Sequence, residues 1–319
     1  MSTTRRTFLT SMVAVSAGRV LTAQLPKETA NLWGSPVIDC HFHMRPTLAA
    51  NLAHINGAGC QAAYFLTRLN SVDDAKRFLG QEPTRFPGYS TSTNVTAPDA
   101  IQMLTAAVKG GAHGFGEVKY HVACDSPEMR NLYAAAAELN VPITLHFQEV
   151  PHTPTEGVFN SGYKHFNKMI EMFPKTTFVG HCDAFWANVS ADYHNQSAYP
   201  SGPIVRGGIT DKWLSDYPNL FGDMSANSGN NALSRDPSFT ADFLKRHRTK
   251  LIFGSDCSCK DGHGAGISQA GNPGASRLAG KCVARETLTV LKANTTPELF
   301  HTLVWENGHR VFKLKSAAA

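Results

Sequence analysis

Eight short apolar runs alternate with amphipathic stretches after residue 30, and this alternation constrains the fold more than any other feature. The runs are 36–43, 62–67, 88–95, 114–120, 143–147, 177–181, 220–224 and 251–254. Between them lie stretches of helical periodicity at 71–79, 99–109, 127–139, 163–173, 211–215 and 239–247. Pro98-Asp99 and Ser126-Pro127 read as helix starts. Strands that alternate with helices build a parallel α/β fold, and eight is the number that closes a (β/α)8 TIM barrel. No repeat of 20–50 residues is visible, and no shift in composition marks a second domain. One barrel over residues 30–315 accounts for the chain of 319, and 42% hydrophobic with 17% charged residues is ordinary globular composition.

Two connections exceed ordinary length. Residues 182–210 follow the sixth run and carry Phe185, Trp186, Tyr193 and Tyr199. Residues 255–281 follow the eighth and are rich in glycine. Long loops of this kind are usually lids or binding loops. Both leave the C-terminal ends of strands, the face on which barrel enzymes keep their sites.

The first 23 residues read as an address. Thr4-Arg5-Arg6-Thr7-Phe8-Leu9 precedes a short, mildly apolar run and a small-residue exit at Ala23. This resembles a twin-arginine export signal, with Thr10 where a Lys is usual. Export through the twin-arginine machinery to the periplasm or beyond is therefore expected. That route carries folded proteins, which suits a chain that loads a metal before export. The apolar run is too short to anchor the chain in a bilayer. Arg5, Arg6 and Arg19 lie here with no acidic residue, and without them the chain carries 27 basic against 25 acidic residues. The net charge of +5 thus gives no argument for nucleic acid. Seven cysteines, an odd number without paired zinc-type spacing, are no disulfide framework.

The chemistry sits at strand ends. Asp39-Cys40-His41-Phe42-His43 closes the first run, and strand alternation sends His41 and His43 to one side. Two imidazoles so placed can share a metal ion. Thr144-Leu145-His146, Val179-Gly180-His181 and Gly254-Ser255-Asp256 end three further runs. Glu117 and Lys119 lie in the fourth. Ligand-type groups at five strand ends, each after an apolar run, do not arise from an ordinary core. Four imidazoles with carboxylates suit zinc first, with manganese or iron as alternatives.

Val37-Ile38-Asp39-Cys40-His41-Phe42-His43 and Leu251-Ile252-Phe253-Gly254-Ser255-Asp256, in that order, resemble the motifs of the amidohydrolase superfamily, in its amidohydrolase-related branch. The resemblance covers about residues 35–312 and specifies no substrate. It implies a (β/α)8 barrel with one or two divalent metals above the strands. It implies His41, His43 and Asp256 on the first metal and His146 and His181 on the second. Glu117 is similar to the bridging Glu of the TatD-like nuclease branch, while other branches bridge with a carboxylated Lys, a role open to Lys119. The implied reaction is attack by a metal-activated water, with Asp256 as general acid–base, on a small ester, lactone or amide. The same branch contains single-zinc decarboxylases of aromatic or unsaturated acids, in which His181 would handle protons. A catalytically dead barrel would show a broken ligand set, and a nuclease would show a basic stripe in the loops; neither is seen.

Further residues are expected near the substrate. Arg45 can pair with a substrate carboxylate; His121 shares the inward parity of Glu117; Trp186 can line a pocket. Lys119 joins them if it does not bridge. His54 lies in a helical stretch and reads as a surface or capping group, and His152 as a solvated loop residue. Cys257-Ser258-Cys259 is a lone pair that defines no site. The expected partners are a small-molecule substrate and the export machinery, without nucleic acid or membrane anchor, and with a homodimer left open.

Overall fold

The computed structural model describes residues 32–119, 121–267 and 277–315. The export signal expected at 1–23 lies outside them. Eight strands pair in sequence order, all parallel. They are β1 (Ile38–His43), β2 (Ala62–Arg68), β3 (Tyr89–Ser92), β4 (Gly114–Val118), β5 (Pro142–His146), β6 (Thr177–His181), β7 (Leu220–Asp223) and β8 (Leu251–Ile252). The seam is closed by backbone bonds from Cys40 N to Phe253 O at 3.0 Å and from Asp256 N to His41 O at 2.8 Å. Gly254 permits this approach, because a Cβ there would lie 2.5 Å from His41 Cβ.

Helices α1 (Leu48–Ala58), α2 (Val72–Gln81), α3 (Ala100–Lys109), α4 (Pro127–Glu138), α5 (Asn167–Met172) and α6 (Asp183–Ala187) interleave with the first strands. They are followed by α7 (Ile209–Asp216), α8 (Ala226–Ser234), α9 (Pro237–Arg246), α10 (Val283–Ala293), α11 (Pro297–His301) and α12 (Asn307–Val311). None of the described helices is long and apolar enough to cross a membrane. The Ser126-Pro127 start is realised, with the Ser126 hydroxyl accepting from Met129 N and Pro127 in the first turn.

The main core is continuous, and the residues of β2 show how strand meets helix. Phe65 stacks on Phe86 at 4.5 Å and meets Phe78 of α2 edge-on at 6.3 Å. A smaller cluster joins Ile38, Cys40, Tyr64, Phe221 and Ile252 to Val311 and Phe312, tying the C-terminal segment to the strands.

Three departures from the sequence reading bear on the site. The connection after β6 is not a free loop: α6 follows at once and its five residues are all buried. The segment after β5, residues 147–166, is a third long connection at the mouth. Helix α8 forms from Ala-Asn-Ser-Gly-Asn-Asn-Ala-Leu-Ser, a composition of low helix propensity. Packing holds it instead, since Ser228 through Leu233 are buried.

Candidate metal centre

The strand ends bring all six of the predicted ligands around one point. His41 and His43 leave β1 on the same side, as period-two alternation requires. Glu117 of β4 lies between the imidazoles. Its Oε2 is 3.4 Å from His43 Nε2 and 3.9 Å from His41 Nε2. Its Oε1 is 2.5 Å from His146 Nδ1 and 3.5 Å from His181 Nε2. Each carboxylate oxygen therefore faces one pair of histidines. Gly116 permits this placement: its φ is +139°, and a Cβ would meet Thr144 Cβ of β5 at 2.8 Å.

Asp256 completes the ring. Its Oδ1 lies 3.2 Å from His43 Nε2 and 3.9 Å from His41 Nε2, and its Oδ2 lies 3.8 Å from His181 Nε2. Asp256 adopts φ +46°, a left-handed backbone that turns the chain at the end of the eighth run.

Groups behind the ring fix the imidazoles. His41 Nδ1 donates to Asp223 Oδ2 at 2.5 Å. The other oxygen of Asp223 accepts from Ser225 N at 3.1 Å. His181 Nδ1 lies 2.7 Å from Ser225 Oγ, and donation there leaves its Nε2 lone pair facing the centre. Asp223 was missed in the sequence although Leu220-Phe221-Gly222-Asp223 is the same apolar run ending on a ligand-type group.

The buried centre is matched to a cation. His41 Nε2 and His181 Nε2 are fully buried and have no hydrogen-bond partner among the described residues. Orphaned buried polar atoms are costly. Here both face carboxylate oxygens at distances too long for hydrogen bonds, and imidazole nitrogen with carboxylate oxygen is the donor set of a divalent metal. A carboxylate behind the ligating imidazole, as Asp223 is behind His41, is the usual support of such a site.

Electrostatics follow the same geometry. Burial works to lower the His43 pKa, but hydrogen bonds to Asp256 and Glu117 outweigh it and raise it to about 10. Burial, followed by the charge of His41, lowers His181 to about 3, so this ring is neutral at pH 7. Burial alone would raise Glu117 and Asp256. The charge and hydrogen bond of His146 hold Glu117 well below the usual carboxylate range. The hydrogen bond of His43, then the charge of His41, does the same for Asp256.

His146 is engaged on both sides, by Glu117 at Nδ1 and by Gln148 Oε1 at 2.8 Å from Nε2. Gln148 belongs to the connection after β5, which also supplies His152, Glu156 and Phe159. His152 is no free solvated group, since its Nε2 meets the buried Asp183 Oδ1 at 2.9 Å.

Three expectations change. Trp186 does not line a pocket: it is fully buried, and its indole N–H donates to Asp223 O at 2.8 Å. Arg45 does not face the cavity. It donates to Cys257 O and Cys259 O at 2.8 and 2.9 Å and lies over the Phe42 ring. His121 stays on the rim, 3.0 Å from Val158 O and stacked on Phe159 at 4.0 Å. Lys119 keeps its expected place on the substrate side, lining a cavity beside His43 and Glu117 with its Nζ 3.9 Å from Glu156 Oε1. Glu117 is the fourth-strand group whose carboxylate oxygens face the four imidazoles.

Two cavities open on the centre. One of about 320 Å³ is lined by His43, Thr67, Arg68, Ser92, Glu117 and Lys119. Another of about 180 Å³ is lined by Lys119, His146, His152, Tyr199, Asn227 and Asp256. Arg68, at the end of β2, carried no signal that set it apart from other surface arginines.

No protein-family model matches the chain, nor does any curated protein. Solved structures do resemble it. A dihydroorotase from Campylobacter jejuni is 15% identical, with 89% of this chain and 85% of that chain covered and a TM-score of 0.54. A probable 2-pyrone-4,6-dicarboxylic acid hydrolase from Acinetobacter baumannii is 13% identical over 87% of this chain and 99% of that one, with a TM-score of 0.54. A 5-carboxyvanillate decarboxylase from Novosphingobium aromaticivorans, complexed with manganese, is 10% identical over 89% and 97%, with a TM-score of 0.52. At such identities the likeness is one of fold, and the fold is a (β/α)8 barrel.

Proposed function

We propose that this chain is a metal-dependent hydrolase of the amidohydrolase type, acting on a small ester, lactone or amide that carries a carboxylate. The observation that carries the reading is the Glu117 carboxylate, with one oxygen toward His41 and His43 and the other toward His146 and His181. That is the disposition of a group shared by two ions. His41, His43 and Asp256 would hold the first ion and His146 and His181 the second, with zinc the best match to this donor set and manganese or iron as alternatives. Bound there, divalent metal would lower the pKa of water and polarise the scissile carbonyl.

The chain's own groups do the rest. Asp256 is partly exposed to the cavity and ionised, so it can accept a proton from water and return it to the leaving group. Arg68 and Lys119 line the larger cavity beside His43 and place positive charge where a substrate carboxylate would sit. Asp223 holds His41, and Glu156 holds Lys119.

A single-metal decarboxylase is the second reading, favoured by the engagement of both His146 nitrogens. Assaying carboxylated lactones and amides for hydrolysis, and aromatic acids for carbon dioxide release, separates the two. Hydrolysis without carbon dioxide is expected; carbon dioxide release alone overturns the hydrolase. Export is a separate proposal resting on Arg5 and Arg6. Changing both to Lys should trap the precursor in the cytoplasm, and normal processing of that variant contradicts it.

A further inference from the structure

The connection after β8 delivers Asp256 to the mouth and then turns back into the protein. Cys257 and Cys259, which the sequence left as a lone pair, there meet Cys282 at the start of α10 and His54 of α1. All four residues are buried, and their ligand atoms lie within 4.8 Å of one another.

The spacing is that of a single tetrahedral ion. Zinc at about 2.3 Å from sulfur and 2.0–2.1 Å from imidazole nitrogen sets edges of about 3.8 Å between sulfurs and about 3.5 Å between sulfur and nitrogen. Cys257 Sγ lies 3.8 Å from Cys282 Sγ, and Cys259 Sγ lies 3.4 Å from His54 Nδ1. We propose that Cys257, Cys259, Cys282 and His54 form a second, structural zinc site, distinct from the centre at the mouth.

Four protein ligands with no solvent-facing position make a closed site, which holds metal for structure and not for turnover. Loading expels three thiol protons, and His54 Nδ1 gives up its 2.9 Å bond to Cys259 O. Three thiolates around a dication leave one net negative charge. The guanidinium of Arg45, bonded to the carbonyls of Cys257 and Cys259, stands beside it as the offsetting cation. The site joins α1, α10 and the β8 connection at the residue next to Asp256, so it fixes the backbone that presents the catalytic carboxylate.

Cobalt(II) substitution in the full-length protein tests the site, because thiolate ligands give a charge-transfer absorption that nitrogen and oxygen ligands at the mouth do not. The wild type should show this absorption. It should survive the change of both His41 and His43 to Ala and disappear in Cys259→Ser and Cys282→Ser. A mercurial titration of the wild type needs no variant and should release one zinc in step with three of the seven thiols. Cobalt-loaded wild type without charge-transfer absorption would overturn the proposal. So would a zinc-free wild-type chain lighter by two hydrogens with two of these cysteines joined.

Discussion

Two ligand clusters meet at adjacent residues, Asp256 and Cys257, and they are built on opposite principles. The cluster at the mouth mixes imidazole with carboxylate and opens to solvent through His43, whose side chain is 50% exposed. The cluster behind it is rich in sulfur and fully enclosed. An open position is what a reacting water and a substrate need, whereas a closed soft shell resists exchange. The difference fits turnover at the first and, as proposed, anchoring of the Asp256 loop at the second. It also predicts that each can be emptied without emptying the other.

The largest effect is expected at the mouth. His41→Ala or His43→Ala should lower turnover roughly 1,000-fold or more, since metal activation and proton transfer fail together. Circular dichroism and the cobalt–thiolate absorption should stay unchanged, because neither histidine touches the cysteine cluster. Loss of the thiolate signal in these variants would erase the distinction between the clusters.

Asp223→Asn sharpens the same comparison. The variant keeps the size of the side chain but weakens the hold on His41 Nδ1. Metal affinity at the mouth should fall about 10- to 100-fold, with no change at the thiolates. Equal affinity in calorimetric titrations of variant and wild type would remove Asp223 from the support of the centre.

The smallest expected effect sets the background for pH measurements on both clusters. Burial alone would raise Asp211, but hydrogen bonds from His247 and Arg246 lower it to about 2. A depressed carboxylate contributes stability above its unfolded pKa near 3.8 and loses it as pH falls toward 2. That contribution is on the order of 2 kcal/mol at neutral pH. Asp211→Asn should lower stability at pH 7 and flatten its dependence between pH 4 and 2, as measured by urea unfolding. An unchanged acid limb in the variant would contradict the assignment.

The contrast also explains what the sequence disclosed. His41, His43, His146, His181 and Asp256 were legible because each ends an apolar strand, and a barrel gathers strand ends at one face. Asp223 obeyed that rule but was overlooked. Gln148, His152 and Glu156 were not legible, because they sit on an irregular connection whose path no periodicity encodes. The cysteine cluster was hidden for another reason. Cys282, just before α10, and His54 of α1 are far apart in sequence, and only closure of the barrel between β8 and β1 brings them to Cys257 and Cys259. Trp186 and Arg45 show the converse error, since residues near a site in sequence served packing and loop anchoring instead.

Whether Glu117 is shared between two ions at the mouth is read from equilibrium binding of manganese(II) to metal-free protein. Manganese is a hard ion that the sulfur-rich cluster should exclude, so the count reports the mouth alone. Wild type should bind two ions per chain and Lys119→Met should match it, while Glu117→Gln should bind one, because two imidazoles supply no charge to retain the second. Two ions in Glu117→Gln, or a single ion in every protein, would contradict the account.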